Sequence, residues 1–527
     1  MSPTGSRRAG VLVPLFSIPS SRSWGIGDMG DIAAMTHWLR SAGVRLMQLL
    51  PTNEMPPGET SPYSALSAMA IDPQFIAVGL LEDFVALGGE RHLEADLRTR
   101  LEHVRAAPSV DYANVRDLKQ IVLRRAFSRF HESEWARNTR RAVALRAYIR
   151  NQAWWLDEYA LFRALRARED ERPWLEWPSA LRGRQPAALA QARLDLADDI
   201  LYRQYLQWVA NEQWDAARTA SGGIALFGDL PFMVSADSAD VWARQDEFRL
   251  DASVGAPPDA FSETGQDWGL PVYRWDVLAD RDFNWLRQRA RRYAELFDGY
   301  RVDHLVGFYR TYFRPYDGSA PQFTPPDQEA QTRLGERVLQ VLREGAEIIA
   351  EDLGVVPDFV RESLTRLSIP GYRVLRWERD DNAEGRPFKD PVDYPSVAVA
   401  TSGTHDTEPM VIWWEGAPAG EREAALAIPL VRARLTHEGR ARARAAPGLS
   451  AELRDALIEA LYASGADLLI LPVQDIFGWR NRINEPGTVG AMNWTWRLPW
   501  PSDVLSAEAE AVAAAARLRM WATRHRR

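Results

Sequence analysis

The chain has 527 residues, is 46% hydrophobic, carries a formal net charge of −8 and contains no cysteine. Without a thiol there are no disulfides, thiolate zinc sites, iron–sulfur clusters or cysteine nucleophile, and the acidic balance argues against nucleic acid or an anionic membrane as the main partner. No apolar run reaches the length of a membrane span, and "VLVPLFSI" near the start is broken by Pro14 and lacks a small-x-small cleavage site, so a cytoplasmic protein is expected.

In chain order, the first strand-like run is "GVLVPLFSI" (10–18). It leads into "WGIGDMGD" (24–31), where Gly25, Gly27 and Gly30 spell G-x-G-x-x-G. A dinucleotide-binding loop needs its glycines directly at the strand end, so that a pyrophosphate can reach the helix N-terminus. Here Ser17 to Trp24 intervene, and the glycines are read as a tight turn that starts a helix. Ile32, Met35, Leu39 and Ala42 then recur at helical spacing. A second strand-like run follows over 44–51.

Similar apolar runs recur at 222–232, 299–308, 346–354, 371–377, 395–406 and 466–477. Continuous apolar stretches of this length suit parallel strands buried on both faces. Helical patterns at 282–297 and 332–345 lie between some of them. Eight strands alternating with helices predict a (β/α)₈ barrel; an open doubly wound sheet is the alternative. The whole chain, 1–527, then forms one interrupted catalytic domain with large, mainly helical insertions on the C-terminal face.

Three connections are too long for ordinary loops. Residues 53–221 are expected to form a helical subdomain between the second and third strands. Within it Trp155, Tyr159, Phe162 and Leu165 recur at steps of four, three and three. Residues 233–281, rich in proline, glycine and aromatics, read as an ordered loop over a binding site. Residues 407–465 add a further helical excursion, and the last twenty residues read as a closing surface helix. The 21 tryptophans fill the core, line a sugar-stacking groove, or both.

Catalytic groups of such a barrel come from the C-terminal ends of its strands. Acids recur there: Asp229 in "FGDLPF", Asp303 in "YRVDHL", Glu351 in "IIAEDLG" and Asp406 in "GTHDTE". Each alone suits a helix N-cap, but several on one rim are electrostatically costly unless they do chemistry. Arg301, two residues before Asp303, points to the same face of its strand and would keep that aspartate ionised, as a nucleophile requires. His304 and His405 flank two of the acids, yet no H-E-x-x-H spacing, nucleophile elbow or P-loop is present. A nucleophilic carboxylate with a protonated acid is the equipment of a retaining glycosidase or transglycosidase.

With these residues in place, the chain resembles the amylomaltases, or 4-α-glucanotransferases (disproportionating enzymes), of the α-amylase superfamily. The resemblance runs through "SWGIGDMGD", "LLPTNE", "SPYSALSAMAIDPQFI" (61–76), "GDLPFMVSADSADVW" (228–242), "PPDAFSETGQDWGLPVYRW" (257–275), "YRVDH" (300–304), "AEDLG" (350–354), "GTHDT" (403–407) and "RNRINEPGTVGAMNWTWRL" (480–498). It implies Asp303 as nucleophile, Glu351 as general acid and base, and Asp406 as a third carboxylate on the sugar hydroxyls. It implies Arg301 and His405 as supports for the nucleophile, and Ser61, Tyr63, Asp229, Gln266, Trp268, Asp381 and Asn484 as substrate contacts. It implies α-1,4-glucans as substrates with glucose or another glucan as acceptor, no cofactor and no catalytic metal; a hydrolase on the same scaffold is the alternative. The chain departs from the family after the nucleophile. It reads "LVGF" (305–308) where Phe-Arg-Gly-Phe is usual, leaving Arg310 as the nearest replacement arginine, and "DASVGAPP" (251–258) is short.

Overall fold

Each of the eight apolar runs contributes one strand to a closed parallel barrel in the computed structural model, which describes residues 7–258, 264–488 and 490–527. The strands are β1 (Arg8–Leu12), β2 (Leu46–Gln48), β3 (Ala225–Leu230), β4 (Gly299–Val302), β5 (Glu347–Ala350), β6 (Gly371–Val374), β7 (Ala398–Thr401) and β8 (Leu468–Pro472). Neighbours in sequence are neighbours in the wall, and β1 closes on β8 with Arg8 opposite Leu468 and Leu12 opposite Pro472. Closure removes both sheet edges and rules out the open doubly wound alternative. The strands are shorter than their apolar runs because pairing stops where the chain turns outward to carry loops. Inside the barrel, Gln48 on β2 bonds the Tyr372 hydroxyl on β6 at 3.3 Å, so the interior is filled rather than open.

The segment between β2 and β3 carries the helices Ala95–Ala106, Tyr112–Phe130, Arg140–Arg168 and Ala197–Ala220. Trp155, Tyr159, Phe162 and Leu165 all lie buried on the third of these. Residues 407–465 hold a run of shorter helices from Met410–Gly416 to Ala451–Tyr462. The last helix, Ala509–Arg524, covers the first, Ile32–Ser41, where the Trp38 indole donates to the Ala511 carbonyl at 3.0 Å. Eight of the largest fully buried side chains are tryptophans, including Trp24, Trp38, Trp214 and Trp285, so much of the indole content is core.

Residues 233–281 differ from the loop expected of them. They contain the strands Phe248–Ala256 and Gln266–Tyr273, which join Thr311–Pro315 and Gln322–Thr324 in a four-stranded antiparallel sheet. The sequence disguises the second strand because Gly269 and Pro271 interrupt it. Both are tolerated because this strand is an edge. The Phe261-Ser262-Glu263 part of the family-like motif lies outside the described residues.

The glycines of "WGIGDMGD" serve the turn itself. A short 3₁₀ turn, Leu15–Ser17, separates β1 from them, and the loop folds back on that turn. Gly25 takes φ +81° against Val104, and a Cβ on Gly27 would sit 2.0 Å from the Leu15 carbonyl oxygen. Asp28 accepts from the Gly30 amide while Asp31 accepts from the Asp28 amide, a reciprocal cap that starts the first helix. Because the obstacle at Gly27 is backbone, Gly27→Ala is expected to cost about 1–3 kcal/mol of stability, as overpacking does. A denaturant titration checks this; the folded fraction should keep its turnover.

Candidate active site

Strand register builds the first half of the site. In the parallel pairing of β3 with β4, Asp229 stands directly opposite Arg301, and the guanidinium donates to both Asp229 oxygens at 2.8 Å. The other end of Arg301 reaches Asp303 Oδ1 at 2.8 Å. Asp229 and Arg301 have side chains 0% and 4% exposed, whereas Asp303 is 25% exposed. One arginine therefore links a sealed carboxylate to an open one. Burial opposes the charge on Arg301, but Asp229 and Asp303 outweigh it and hold the guanidinium protonated well beyond its ordinary range.

Glu351 follows β5 directly, as Asp303 follows β4. Val302 pairs with Ala350, which brings the two acids to the same level of the wall. Burial, together with the nearby charges of Asp303 and Asp352, pushes the Glu351 carboxyl up to about 7 against the pull of Arg301. Its Oε1 accepts from the Leu353 amide at 3.2 Å. Two neighbouring carboxyls thus differ in setting: one paired with a guanidinium, the other held protonated.

Asp406, beyond the end of β7, closes the rim. Its Oδ2 lies 3.2 Å from His405 Nε2, and Asn484 Nδ2 donates to Oδ1 at 2.6 Å. Burial alone would raise its pKa, but His405, Asn484 and Arg301 overcome that and hold the carboxyl well below the usual carboxylate range. His405 is buried, which disfavours its charge, yet Asp406 more than compensates and raises its pKa. The Tyr63 hydroxyl joins the two halves, donating to Asp229 Oδ2 at 2.8 Å and lying 3.0 Å from His405 Nε2. A continuous network therefore runs Asp303–Arg301–Asp229–Tyr63–His405–Asp406–Asn484.

Aromatic walls frame this network. The Tyr63 and His405 rings stack at 5.7 Å, and Trp494 packs on both. His304, next to the nucleophile candidate, takes φ +40° and is enclosed between Phe232 and Trp268. Burial drops its pKa to about 4, so it stays a neutral ring. Sequence reasoning missed Trp494, Phe232 and Arg482, which donates to the Asp406 carbonyl at 3.1 Å. Trp494 and Arg482 lie in the tract 480–498 that carries the resemblance, where nothing in the spacing shows which side chain faces the acids.

Other expected residues lie apart from the network. Trp268 reaches it only through His304, with ring centres 4.8 Å apart, and Gln266 accepts from the Trp268 indole at 3.0 Å. Ser61 accepts from the Tyr63 amide at 3.4 Å and so shapes the turn that presents that tyrosine. Asp229 does belong to the network, sealed beneath the rim against Arg301 and Tyr63. Asp381 is exposed and paired with Arg386 at 2.6 Å; among the described residues it has no contact with the acids. Arg310, the replacement arginine suggested by the departure after Asp303, stacks 4.2 Å over Phe323 in the outer sheet. Among the described residues no group of three or more His, Asp or Glu is placed to hold a metal ion, and no helix is long and apolar enough to cross a membrane.

Comparison with known proteins agrees with this geometry. A family model described as 4-alpha-glucanotransferase matches residues 13–503. A 4-alpha-glucanotransferase of Thermus thermophilus is 34% identical, with 93% of this chain and 95% of the relative covered. The chloroplastic/amyloplastic 4-alpha-glucanotransferase of Solanum tuberosum is 31% identical, with 97% and 85% covered. The amylomaltase of Streptococcus agalactiae, solved with acarbose, superposes with a TM-score of 0.81 at 27% identity, covering 99% of each chain. A carboxylate rim on a closed barrel, matched along almost the whole chain, makes this protein a member of the 4-α-glucanotransferase (amylomaltase) family.

Proposed function

We propose that the protein moves α-1,4-glucan segments between chains by a retaining double displacement, with Asp303 as nucleophile and Glu351 as acid and base. The carrying observation is the contrast between neighbouring acids: Asp303 ion-paired to Arg301 at 2.8 Å, and Glu351 held protonated up to about 7. An ion-paired carboxylate beside a carboxyl whose pKa is raised sets one up to attack and the other to donate a proton. In the first step a carboxylate oxygen of Asp303 bonds to the anomeric carbon as the glycosidic C–O bond breaks. The Glu351 proton passes to the departing 4-oxygen. In the second step Glu351, now a carboxylate, takes the proton of an incoming 4-hydroxyl, whose oxygen displaces Asp303. The acceptor is glucose or another glucan, and two inversions restore the α configuration.

Asp406, fixed by His405 and Asn484, is suited to accept hydrogen bonds from the hydroxyls of the reacting glucose. Such bonds strengthen as the ring flattens toward an oxocarbenium ion. Arg301, Asp229 and Tyr63 act through Asp303 and His405 by holding their positions. The cysteine-free composition suits a reducing compartment, and this reading places the enzyme in the cytoplasm.

Maltotriose tests the proposal. Longer and shorter oligomers plus glucose at constant reducing ends are expected. Reducing ends that climb with only shorter products would make the chain a hydrolase, and the proposal would fall.

Since Glu351 must carry a proton to start the reaction, turnover is expected to decline as pH rises through about 7. A pH–rate profile flat from 6 to 9 would remove Glu351 from the acid role. Trp268, beside His304, is placed to screen the intermediate from water. Trp268→Ala is expected to raise hydrolysis relative to transfer several-fold, read as reducing ends released per glucan transferred. An unchanged ratio would leave Trp268 as mere packing.

A further inference from the structure

A second polar cavity lies in the helical insertion, between the Tyr112–Phe130 and Ala197–Ala220 helices and the segment 54–74. Its volume is about 70 Å³, and exposed Pro57 and Gln120 lie at its edge. The charges around it are nearly equal in number but unevenly paired. Arg116, Lys119, Arg163 and Arg203 line it, against Glu54, Asp72 and Glu171. Arg163 pairs with Glu54 at 2.9 Å and with Glu171 at 3.1 Å. Lys119 is paired outside the set, with Asp28 at 3.5 Å. Asp72 accepts from the Gln74 and Met55 amides and takes no ion pair.

Arg203 feels the charge of Glu54 without touching it, and its guanidinium lies 5.3 Å from the Tyr202 ring centre. It is 8% exposed, yet it makes no hydrogen bond or ion pair among the described residues, and its Nε is fully buried. Arg116 gives one Nη to the Met55 carbonyl at 2.9 Å, while its buried Nη2 is unpartnered. Gln74 Oε1 is a buried acceptor without a donor. Guanidinium donors left unmet out of water are costly, and guanidinium forks match oxyanions. The unmet groups are cationic donors together with one acceptor. A hydrogen phosphate group satisfies both kinds, taking bonds on its charged oxygens and giving one from its P–OH.

We propose that this cavity is a binding site for one phosphate group, held by Arg203 and Arg116, distinct in chemistry from the glucan site. The group is either free phosphate or the phosphate of a phosphorylated sugar, whose ring would lie outside, at Pro57 and Gln120.

The test is the thermal unfolding of the full chain at matched ionic strength with inorganic phosphate, sulfate, chloride, a hexose monophosphate or the unphosphorylated hexose. Phosphate is expected to raise the midpoint progressively with its concentration, with sulfate weaker and chloride inert. Arg203→Gln is expected to weaken the apparent affinity for phosphate at least tenfold while maltotriose turnover persists. Should that variant fail to fold, Arg116→Gln, at a partly exposed position, carries the same comparison. A hexose monophosphate stronger than phosphate assigns the site to phosphorylated sugars, and equal strength assigns it to free phosphate. Equal shifts with phosphate and chloride, an equal shift with the bare hexose, or undiminished affinity in the folded variant would overturn the proposal.

Discussion

Asp303→Asn is expected to reduce maltotriose disproportionation by on the order of 10⁴-fold or more, the scale of losing a nucleophile. The amide has the same shape but cannot form the glycosyl ester. Damage to the fold should be small, because Arg301 keeps two bonds to Asp229 at 2.8 Å and Asp303 sits at the partly open end of the network. Melting temperature and turnover separate the two effects. A variant that melts near the parent and retains more than a few per cent of its rate would show that Asp303 is not the nucleophile. Arg301 offers no such clean experiment: removing it leaves two acids without their shared cation, one of them sealed from water.

Glu351→Gln is expected to lower the same rate by about 10²–10⁴-fold, the range associated with general acid–base catalysis. Its signature lies in the choice of donor. A maltosyl fluoride has a leaving group that needs no protonation, so the first step should survive, while release to an acceptor still lacks its base. The glycosyl ester on Asp303 is then expected to accumulate and to be visible by mass spectrometry of the intact protein. No adduct under these conditions, with the fluoride consumed at the parent rate, would exclude Glu351 from both roles. The substitution should also change the pH dependence of stability. A carboxyl raised to about 7 in the folded state stabilises the fold below its unfolded pKa, and that contribution is lost as pH rises through about 7. Glutamine stays neutral, so the variant should outlast the parent at pH 9 in thermal unfolding.

The barrel was legible because buried parallel strands advertise themselves: "GYRV" at 299–302 and "EIIA" at 347–350 are short apolar runs, each ending at an acid. The same ends gave the acids of the rim, and i,i+2 geometry gave the Arg301–Asp303 pair. The outer sheet was illegible for the opposite reason. Its strands are partly exposed and interrupted by Gly269 and Pro271, so no period of two survives to be read. Trp494 and Arg482 come to the site from nearly two hundred residues beyond Asp303, through the path of a loop, and spacing carries no information about that. Asp381, which the resemblance made a substrate contact, lies on the surface paired with Arg386.

The placement of Asp229 opposite Arg301 in the β3–β4 ladder ties competence to assembly. A slip of one residue between these strands would turn one of the two side chains to the other face of the wall, and Arg301 would lose the buried carboxylate that holds it beneath Asp303. Chemistry is therefore switched on by the same event that completes the wall. Barrel closure thus fixes the Asp229–Arg301–Asp303 part of the charged centre, while Tyr63 and Asn484 complete it from the connecting segments.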